Sequence, residues 1–164
     1  MIQVFITGGT IDKHYMMENG KMGFAESHLE KMLKLGRSTV DTELQTLMFK
    51  DSLDMDDADR QKIAESCNKS GSKDILISHG TDTMVKTATH IAQHKANIAA
   101  DKTIVLTGAM IPYKVTHSDA LFNLGFALCA TQTLQAGIYI AMNGQVFDWD
   151  KVFKNHELGK FQAL

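Results

Sequence analysis

The sequence predicts an α/β protein with a five-stranded parallel sheet, in a flavodoxin-like three-layer α/β/α sandwich. Near-continuous apolar runs of strand length alternate with helix-like segments, which is the pattern of a parallel sheet covered by helices on both faces. Polar residues with reactive groups follow directly after these runs. Because ligands of such sheets bind at the carboxyl ends of the strands, we expect one crevice to collect those residues.

The chain length and the net charge limit the classes of partner that the protein is expected to bind. The chain has 164 residues, 44% of them hydrophobic and 22% charged, which suits one globular domain with a substantial core. A formal net charge of -2 gives no electrostatic footprint for nucleic acid or an anionic membrane. We therefore expect a small-molecule partner, no nucleic-acid or membrane partner, and no metal or other cofactor.

Location and redox state are predicted from three further features. Met1 leads directly into the first apolar run, without a basic segment and a cleavage site. No apolar run approaches the roughly 20 residues that span a bilayer, so we expect a cytoplasmic protein. Cys67 and Cys129 lie far apart in helix-like segments, and we expect both to be free, buried thiols.

The first strand, Ile2–Ile6, runs into a glycine turn that presents the hydroxyl of Thr10. Residues 11–23 are polar and contain glycines, and we interpret them as a mobile loop or short hairpin that covers the crevice. Ser27, with Glu30 three residues later, has the form of a capping box and predicts that a helix begins there.

The second strand, Leu44–Phe49, precedes an acidic turn and a helix that we expect to run to about Asn68. Asp54, Asp56 and Asp57 allow two interpretations. Carboxylates are favoured at the positive N-terminus of a helix. A calcium loop would also need a central glycine and a distal glutamate, which this turn lacks, so we predict no metal site.

The third strand, Asp74–Ser78, is followed by a turn that contains Thr81 and Asp82. Thr83 is a plausible N-cap of the next helix. Taken alone, a threonine and an aspartate at this place are typical of the start of a helix.

The fourth strand, Thr103–Thr107, precedes a glycine turn and then three residues that look like a catalytic triad, at 117–119. These three are consecutive, whereas a triad is assembled from separated segments. We therefore interpret Ser118 as the cap of a helix that ends near Gln132.

The fifth strand is Gly137–Met142, and the chain after it turns back toward Lys154. A lone lysine in such a segment is usually solvated. The residue pattern alone therefore assigns Lys154 no function.

Four motifs occur together and in order: TGGTI at residues 7–11, HGTDTM at 79–84, LTGAMIP at 106–112 and AMNG at 141–144. Together they resemble the bacterial L-asparaginase/glutaminase family, over nearly the whole chain. The resemblance implies an amidohydrolase that converts asparagine, or a similar small amide, to aspartate and ammonia through an acyl-threonine intermediate. It also implies one N-terminal-like domain over residues 1–164 without the family's C-terminal domain, and a homodimer or higher homo-oligomer.

The resemblance further implies roles for individual residues. The catalytic residues that it implies are Thr10 as nucleophile, Thr81, Asp82, Lys154 and Tyr15. The substrate-binding residues that it implies are Ser52, Leu53 where the family has glutamine, Gly9, Gly80 and Ala109. The residue types suit this chemistry, because a threonine hydroxyl attacks only after a base removes its proton, and a neutral lysine can be that base.

A second function from another class fits the same pattern. A non-catalytic module could use the crevice to bind a small amino acid or another protein. The joint presence of Thr10, Thr81, Asp82 and Lys154 favours the enzyme.

Overall fold

The computed structural model describes residues 1–94 and 100–164, and its elements alternate between strands and helices. In chain order the strands are β1 (Ile2–Gly8), β2 (His14–Met16), β3 (Lys21–Gly23), β4 (Thr42–Lys50), β5 (Asp74–Ser78), β6 (Thr103–Thr107), β7 (Gly137–Met142), β8 (Gln145–Asp148), β9 (Val152–Asn155) and β10 (Lys160–Ala163). The helices of the described ranges are α1 (Leu29–Leu35), α2 (Asp57–Lys69), α3 (Met84–Gln93) and α4 (Ala120–Thr133).

The central sheet has six strands in the order β4-β1-β5-β6-β7-β8. The first five are parallel to one another, in the flavodoxin-like order that the sequence predicts. The sixth, β8, is the difference from that prediction, because it pairs antiparallel with β7. Asn143 and Gly144 join the two strands with φ values of 57° and 74°, and such positive values suit a two-residue hairpin turn.

Helices cover both faces of the sheet. Alternate side chains of a strand point to opposite faces, so each strand supplies apolar residues to two separate clusters. Phe5 of β1 packs in one apolar cluster with Ile63 of α2 and Ile91 of α3. Its neighbour Val4 packs in a second cluster with Leu124 of α4. The α/β/α sandwich of the prediction is therefore confirmed, and the carboxyl ends of the parallel strands lie along one edge.

Strand β4 lies at the edge of the sheet and is less buried than its apolar pattern suggests. Glu43 and Gln45 are exposed, and Leu47 is the one fully buried side chain of the strand. Polar side chains on an edge strand discourage pairing with other chains.

Both predicted cap serines lie one residue before the observed N-cap, but each still binds the first N-H group of its helix. Helix α1 begins one residue later than its predicted cap implies, with His28 at the N-cap and no cap bond from the His28 side chain. The Ser27 hydroxyl donates to the buried carboxylate of Asp12, and its oxygen accepts from the Leu29 N-H at 3.2 Å. Helix α4 begins after Asp119, and the Ser118 hydroxyl donates to the Ile111 carbonyl while its oxygen accepts from the Ala120 N-H at 3.0 Å. Each serine therefore caps its helix and also ties it to another segment.

The acidic turn before α2 forms a capping box between Asp56 and Asp59, and Lys50 pairs with Asp59 at 2.6 Å. Within residues 1–94 and 100–164 there is no group of three potential metal ligands. Cys67 is buried as predicted, but Cys129 is exposed, so that prediction was wrong for one thiol. No helix of the described ranges is long and apolar enough to cross a membrane.

The last two strands form a hairpin that packs beside the main sheet. Val152 of β9 and Phe161 of β10 are buried in the same apolar cluster as α2 and α3. Lys154 lies opposite Phe161 in this hairpin. The hairpin therefore presents the lysine at the edge where the parallel strands end.

Candidate active site

Three turns that follow neighbouring parallel strands touch one another. A Cβ added to Gly9, after β1, would lie 2.3 Å from the amide nitrogen of Gly80, after β5. A Cβ added to Gly80 would lie 2.6 Å from the Cβ of Ser52, after β4. Only glycine permits backbones to approach this closely. The turns that carry Thr10, Ser52 and Thr81 are thus held in direct contact.

Lys154 joins this group from far along the chain. Its Nζ donates to the Thr81 hydroxyl at 2.8 Å and to the Asp82 carboxylate at 2.6 Å. The lysine side chain is 12% exposed and the aspartate 33% exposed. The exposed ring of His156 approaches the same Asp82 oxygen at 3.6 Å. The cluster therefore combines a buried hydroxyl, an amine and a carboxylate.

Thr10 begins a short 3-10 turn that ends at Asp12. Its side chain is partly exposed, whereas Ile11 and Asp12 are buried beneath it. The Gly9 amide donates to the Lys50 carbonyl at 2.9 Å, so this N-H group is not free to bind a ligand. Thr10 is therefore the partly exposed residue of a turn whose next two residues are buried.

Burial raises the pKa of the Asp12 carboxyl from 3.8 to about 6. The His28 amide and the Ser27 hydroxyl both donate hydrogen bonds to this carboxyl. These bonds lower its pKa, but by less than burial raises it. A titratable group therefore lies two residues after Thr10 and changes charge just below neutral pH.

His79 fixes the backbone that precedes Thr81. Its ring is fully buried, which lowers its pKa to about 4 and keeps it neutral at pH 7. One ring nitrogen lies 2.7 Å from the Gly80 carbonyl and the other 2.8 Å from the Thr87 hydroxyl. We assign the proton to Nδ1, because a carbonyl only accepts. The Thr87 hydroxyl then donates to Nε2.

Asp119 shapes the loop that contains Ala109. Its carboxylate accepts hydrogen bonds from the amides of Met110 and Ile111, the latter at 2.9 Å. It also accepts one from the Asn123 side chain at 2.9 Å. Ala109 is completely buried at the start of this loop.

Asn123 and Asn143 extend this network to the hairpin that carries Lys154. The Asn123 amide group donates to the Gly108 carbonyl, and its oxygen accepts from the Asn143 N-H at 3.2 Å. The Asn143 side chain in turn accepts from the Phe161 N-H at 2.9 Å. A continuous polar chain therefore links the loop after β6 to the strand that pairs with Lys154.

The chain matches the model of the N-terminal asparaginase domain over residues 1–163. It belongs to the asparaginase family. Among the curated relatives, L-asparaginase 1 of Escherichia coli is 28% identical over 169 aligned positions, which cover 96% of this chain and 48% of the relative.

Solved asparaginase structures have the same fold. A probable cytoplasmic L-asparaginase from Campylobacter jejuni superposes with a TM-score of 0.84 at 28% identity, over 99% of this chain and 52% of that one. The thermostable L-asparaginase from Thermococcus kodakarensis gives a TM-score of 0.83 at 26% identity, over 99% and 51%. The chain spans about half the length of these asparaginases.

The turns that carry eight of the ten predicted site residues lie together, and Tyr15 and Leu53 are the two exceptions. Those that meet are Thr10, Thr81, Asp82, Lys154, Ser52, Gly9, Gly80 and, through the loop after β6, Ala109. Tyr15 lies in the β2–β3 hairpin with a side chain 61% exposed, and its hydroxyl makes no hydrogen bond within the described ranges. Leu53 is 70% exposed, beside the Ser52 turn.

Three residues that support the candidate site were not identified from the sequence. His79 stands in the HGTDTM motif, where it looks like part of a helix start. Asp119 follows the false triad, and Asn123 lies inside an apolar helix, where a buried asparagine needs several partners. An isolated asparagine in an otherwise apolar helix is the signal that would have found it.

Asp12→Asn should change how stability depends on pH. The folded pKa of Asp12 lies above the unfolded value, so its stabilising contribution is complete below pH 3.8 and is lost as pH rises through about 6. Relative to wild type, the variant should gain about 3 kcal/mol in free energy of unfolding between about pH 3 and about pH 8. Urea unfolding of both proteins across that range measures this difference.

The pH dependence of wild-type stability does not isolate Asp12. His79 has a lowered pKa, so its contribution to stability increases as pH rises, which opposes the decrease that Asp12 causes. The difference between the two proteins isolates Asp12. A difference that stays constant with pH would contradict the raised pKa.

Asn143→Gly should loosen the hairpin that carries Lys154 and leave the sheet intact. Glycine keeps the positive φ of this turn without strain, so only the side-chain bond to the Phe161 amide is lost. Hydrogen exchange of that amide should accelerate roughly fivefold, the worth of one hydrogen bond. The amide of Val4 in β1 serves as control, and equal exchange at Phe161 in both proteins would refute the link.

Proposed function

We propose that this chain is an amidohydrolase that releases ammonia from asparagine, or from a similar small amide, through an acyl-threonine intermediate. The observation that carries the proposal is Lys154, whose amine contacts Thr81 and Asp82 across more than 70 residues of sequence. A solvated lysine needs no such partners. A base beside a hydroxyl, itself oriented by a carboxylate, is the arrangement that nucleophilic catalysis requires.

In the proposed first step, the Thr10 oxygen attacks the side-chain carbonyl carbon of the substrate. An ester to Thr10 forms, the carbon–nitrogen bond breaks, and the amide nitrogen leaves as ammonia with the hydroxyl proton. In the second step water attacks the ester carbon, releases aspartate and returns the proton to Thr10. Lys154, in its neutral form, accepts a proton through Thr81 and gives it back within each step.

Ser52 is the proposed contact for the α-carboxylate of the substrate. Its buried hydroxyl oxygen accepts from the Thr83 N-H at 3.3 Å, and the Thr83 hydroxyl donates to the Ser52 carbonyl at 2.8 Å. The hydroxyl proton of Ser52 remains available to a carboxylate. Gly9 and Gly80 contribute by their lack of side chains, and Ala109 by the backbone that Asp119 orients.

The relatives support this proposal at the level of the family, since those compared are named L-asparaginases. The decisive experiment is an ammonia-release assay on the purified chain, with asparagine and with glutamine. Ammonia from either substrate supports the amidohydrolase. Asparagine binding without ammonia would support the non-catalytic module instead.

Thr10→Ala should abolish turnover and leave the fold intact, because the side chain is partly exposed on a turn. We expect kcat to fall at least about a thousandfold, as when a nucleophile is removed from other hydrolases. Thr81→Ala should also lose turnover, because Lys154 acts through Thr81, and a large difference between the two variants would identify the threonine that attacks. Thr133→Ala, at the exposed end of α4, is the matched control and should keep full activity.

Unchanged activity in Thr10→Ala would refute the assignment of the nucleophile. Circular dichroism of each variant separates loss of chemistry from loss of fold.

Lys154→Arg should be inactive although it keeps a positive charge beside Asp82. A guanidinium group does not deprotonate in proteins, so it cannot accept the proton that the mechanism transfers. Lys154→Met should be inactive for the same reason. Lys151→Met removes a lysine of the same segment that pairs with exposed Asp148, and this variant should remain active. An active Lys154→Arg enzyme would show that Lys154 is not the base.

We also propose that the chain forms a homo-oligomer. Leu121 and Phe122 of α4 are exposed, and the ring of Phe122 stacks on that of Phe126 at 6.5 Å. Exposed apolar patches of this kind commonly lie in interfaces. Light scattering at assay concentration should show a dimer or larger species, and a strict monomer would contradict the proposal.

A further inference from the structure

A cavity of about 400 Å³ lies on the α1 side of the Thr10 turn. It is open to solvent on one side and is bordered by the β2–β3 hairpin, the segment that leads into α1 and the loop after β6. Its lining residues are His14, Tyr15, Ala25, Glu26, His28 and Lys114. None of them contributes to the Lys154 cluster.

His28 is the first observation that indicates a ligand. Its side chain is 1% exposed, and neither ring nitrogen has a hydrogen-bond partner among the described residues. Nδ1 of His14 is likewise without a partner, and the two rings lie 5.7 Å apart. Buried polar atoms are normally satisfied, so three unpartnered nitrogens around one cavity call for an explanation.

The charge around the cavity is the second observation. Lys114 forms no ion pair with a residue of the described ranges, whereas Glu26 is paired with Lys31 at 2.7 Å. Burial lowers the pKa of His28, and the positive charges of Lys114 and His14 lower it further. The cavity therefore has a positive potential that its own carboxylate does not cancel.

We propose that this cavity binds a small oxyanion, a carboxylate or phosphate group. Lys114 supplies the charge, and the ring N-H groups of His28 and His14 supply donors to oxygen. The described residues here include no group of three metal ligands, which argues against a cation.

A bound anion would join three segments that meet at the base of the Thr10 turn. The His28 amide donates to Asp12 at 2.8 Å, and the Tyr113 amide donates to the Ile11 carbonyl at 3.3 Å. His14 and Tyr15 belong to the hairpin. The ligand therefore fixes the hairpin against the two segments that already hold the turn, whatever reaction Thr10 carries out.

The test is an NMR titration of the histidine ring signals at constant ionic strength, with sodium sulfate, inorganic phosphate and acetate in place of chloride. Saturable shifts of the His28 and His14 signals support the site. Tighter binding of phosphate than of acetate assigns a phosphate group as the natural ligand, and the reverse assigns a carboxylate.

Lys114→Met is the decisive variant, because Lys114 is exposed and its loss leaves the fold intact. It should weaken anion binding at least about tenfold, the effect of losing one charged donor. Lys21→Met is the matched control. It removes an exposed lysine of the β2–β3 hairpin that does not line the cavity, and this variant should bind the anions as wild type does. Histidine signals that do not saturate with any anion, or equal affinities in the two variants, would overturn the proposal.

Discussion

The contact of Lys154 with Thr81 and Asp82 is the interaction on which the rest of the site depends. It attaches the β9–β10 hairpin to the turn after β5. It also places an amine beside the hydroxyl of a threonine at the start of a helix. An exposed ion pair would contribute little, about 0–1 kcal/mol. This lysine is largely shielded from solvent and also donates to a buried hydroxyl, so its position is well defined.

Two separate contacts fix the position of Lys154 relative to Thr81. On one side, the contact between Gly9 and Gly80 brings the turns after β1 and β5 together, at a distance that any larger residue would prevent. On the other side, Asn143 binds the Phe161 amide of the strand that pairs with Lys154. The central sheet thus positions the threonines, and a polar network positions the amine.

Much of the fold follows from sequence, because the five parallel strands are apolar runs separated by helix-length segments. The failures come from tertiary contacts. The hydroxyls of Ser27 and Ser118 bind the first N-H group of their own helices as predicted, but their bonds to a distant carboxylate and a distant carbonyl could not be predicted from sequence. Cys129 is exposed because α4 is apolar on more than one face, which composition alone cannot distinguish. Lys154 reaches Thr81 across 73 residues, and no local pattern encodes that contact.

The proposed mechanism requires that Thr10 becomes covalently acylated during turnover. Rapid acid quenching of the enzyme with asparagine, followed by peptide mapping, tests this directly. The peptide that contains Thr10 should gain the mass of an aspartyl group, and Thr10→Ala should show no such gain. An adduct on the peptide that contains Thr81, or ammonia release without any adduct on Thr10, would contradict it.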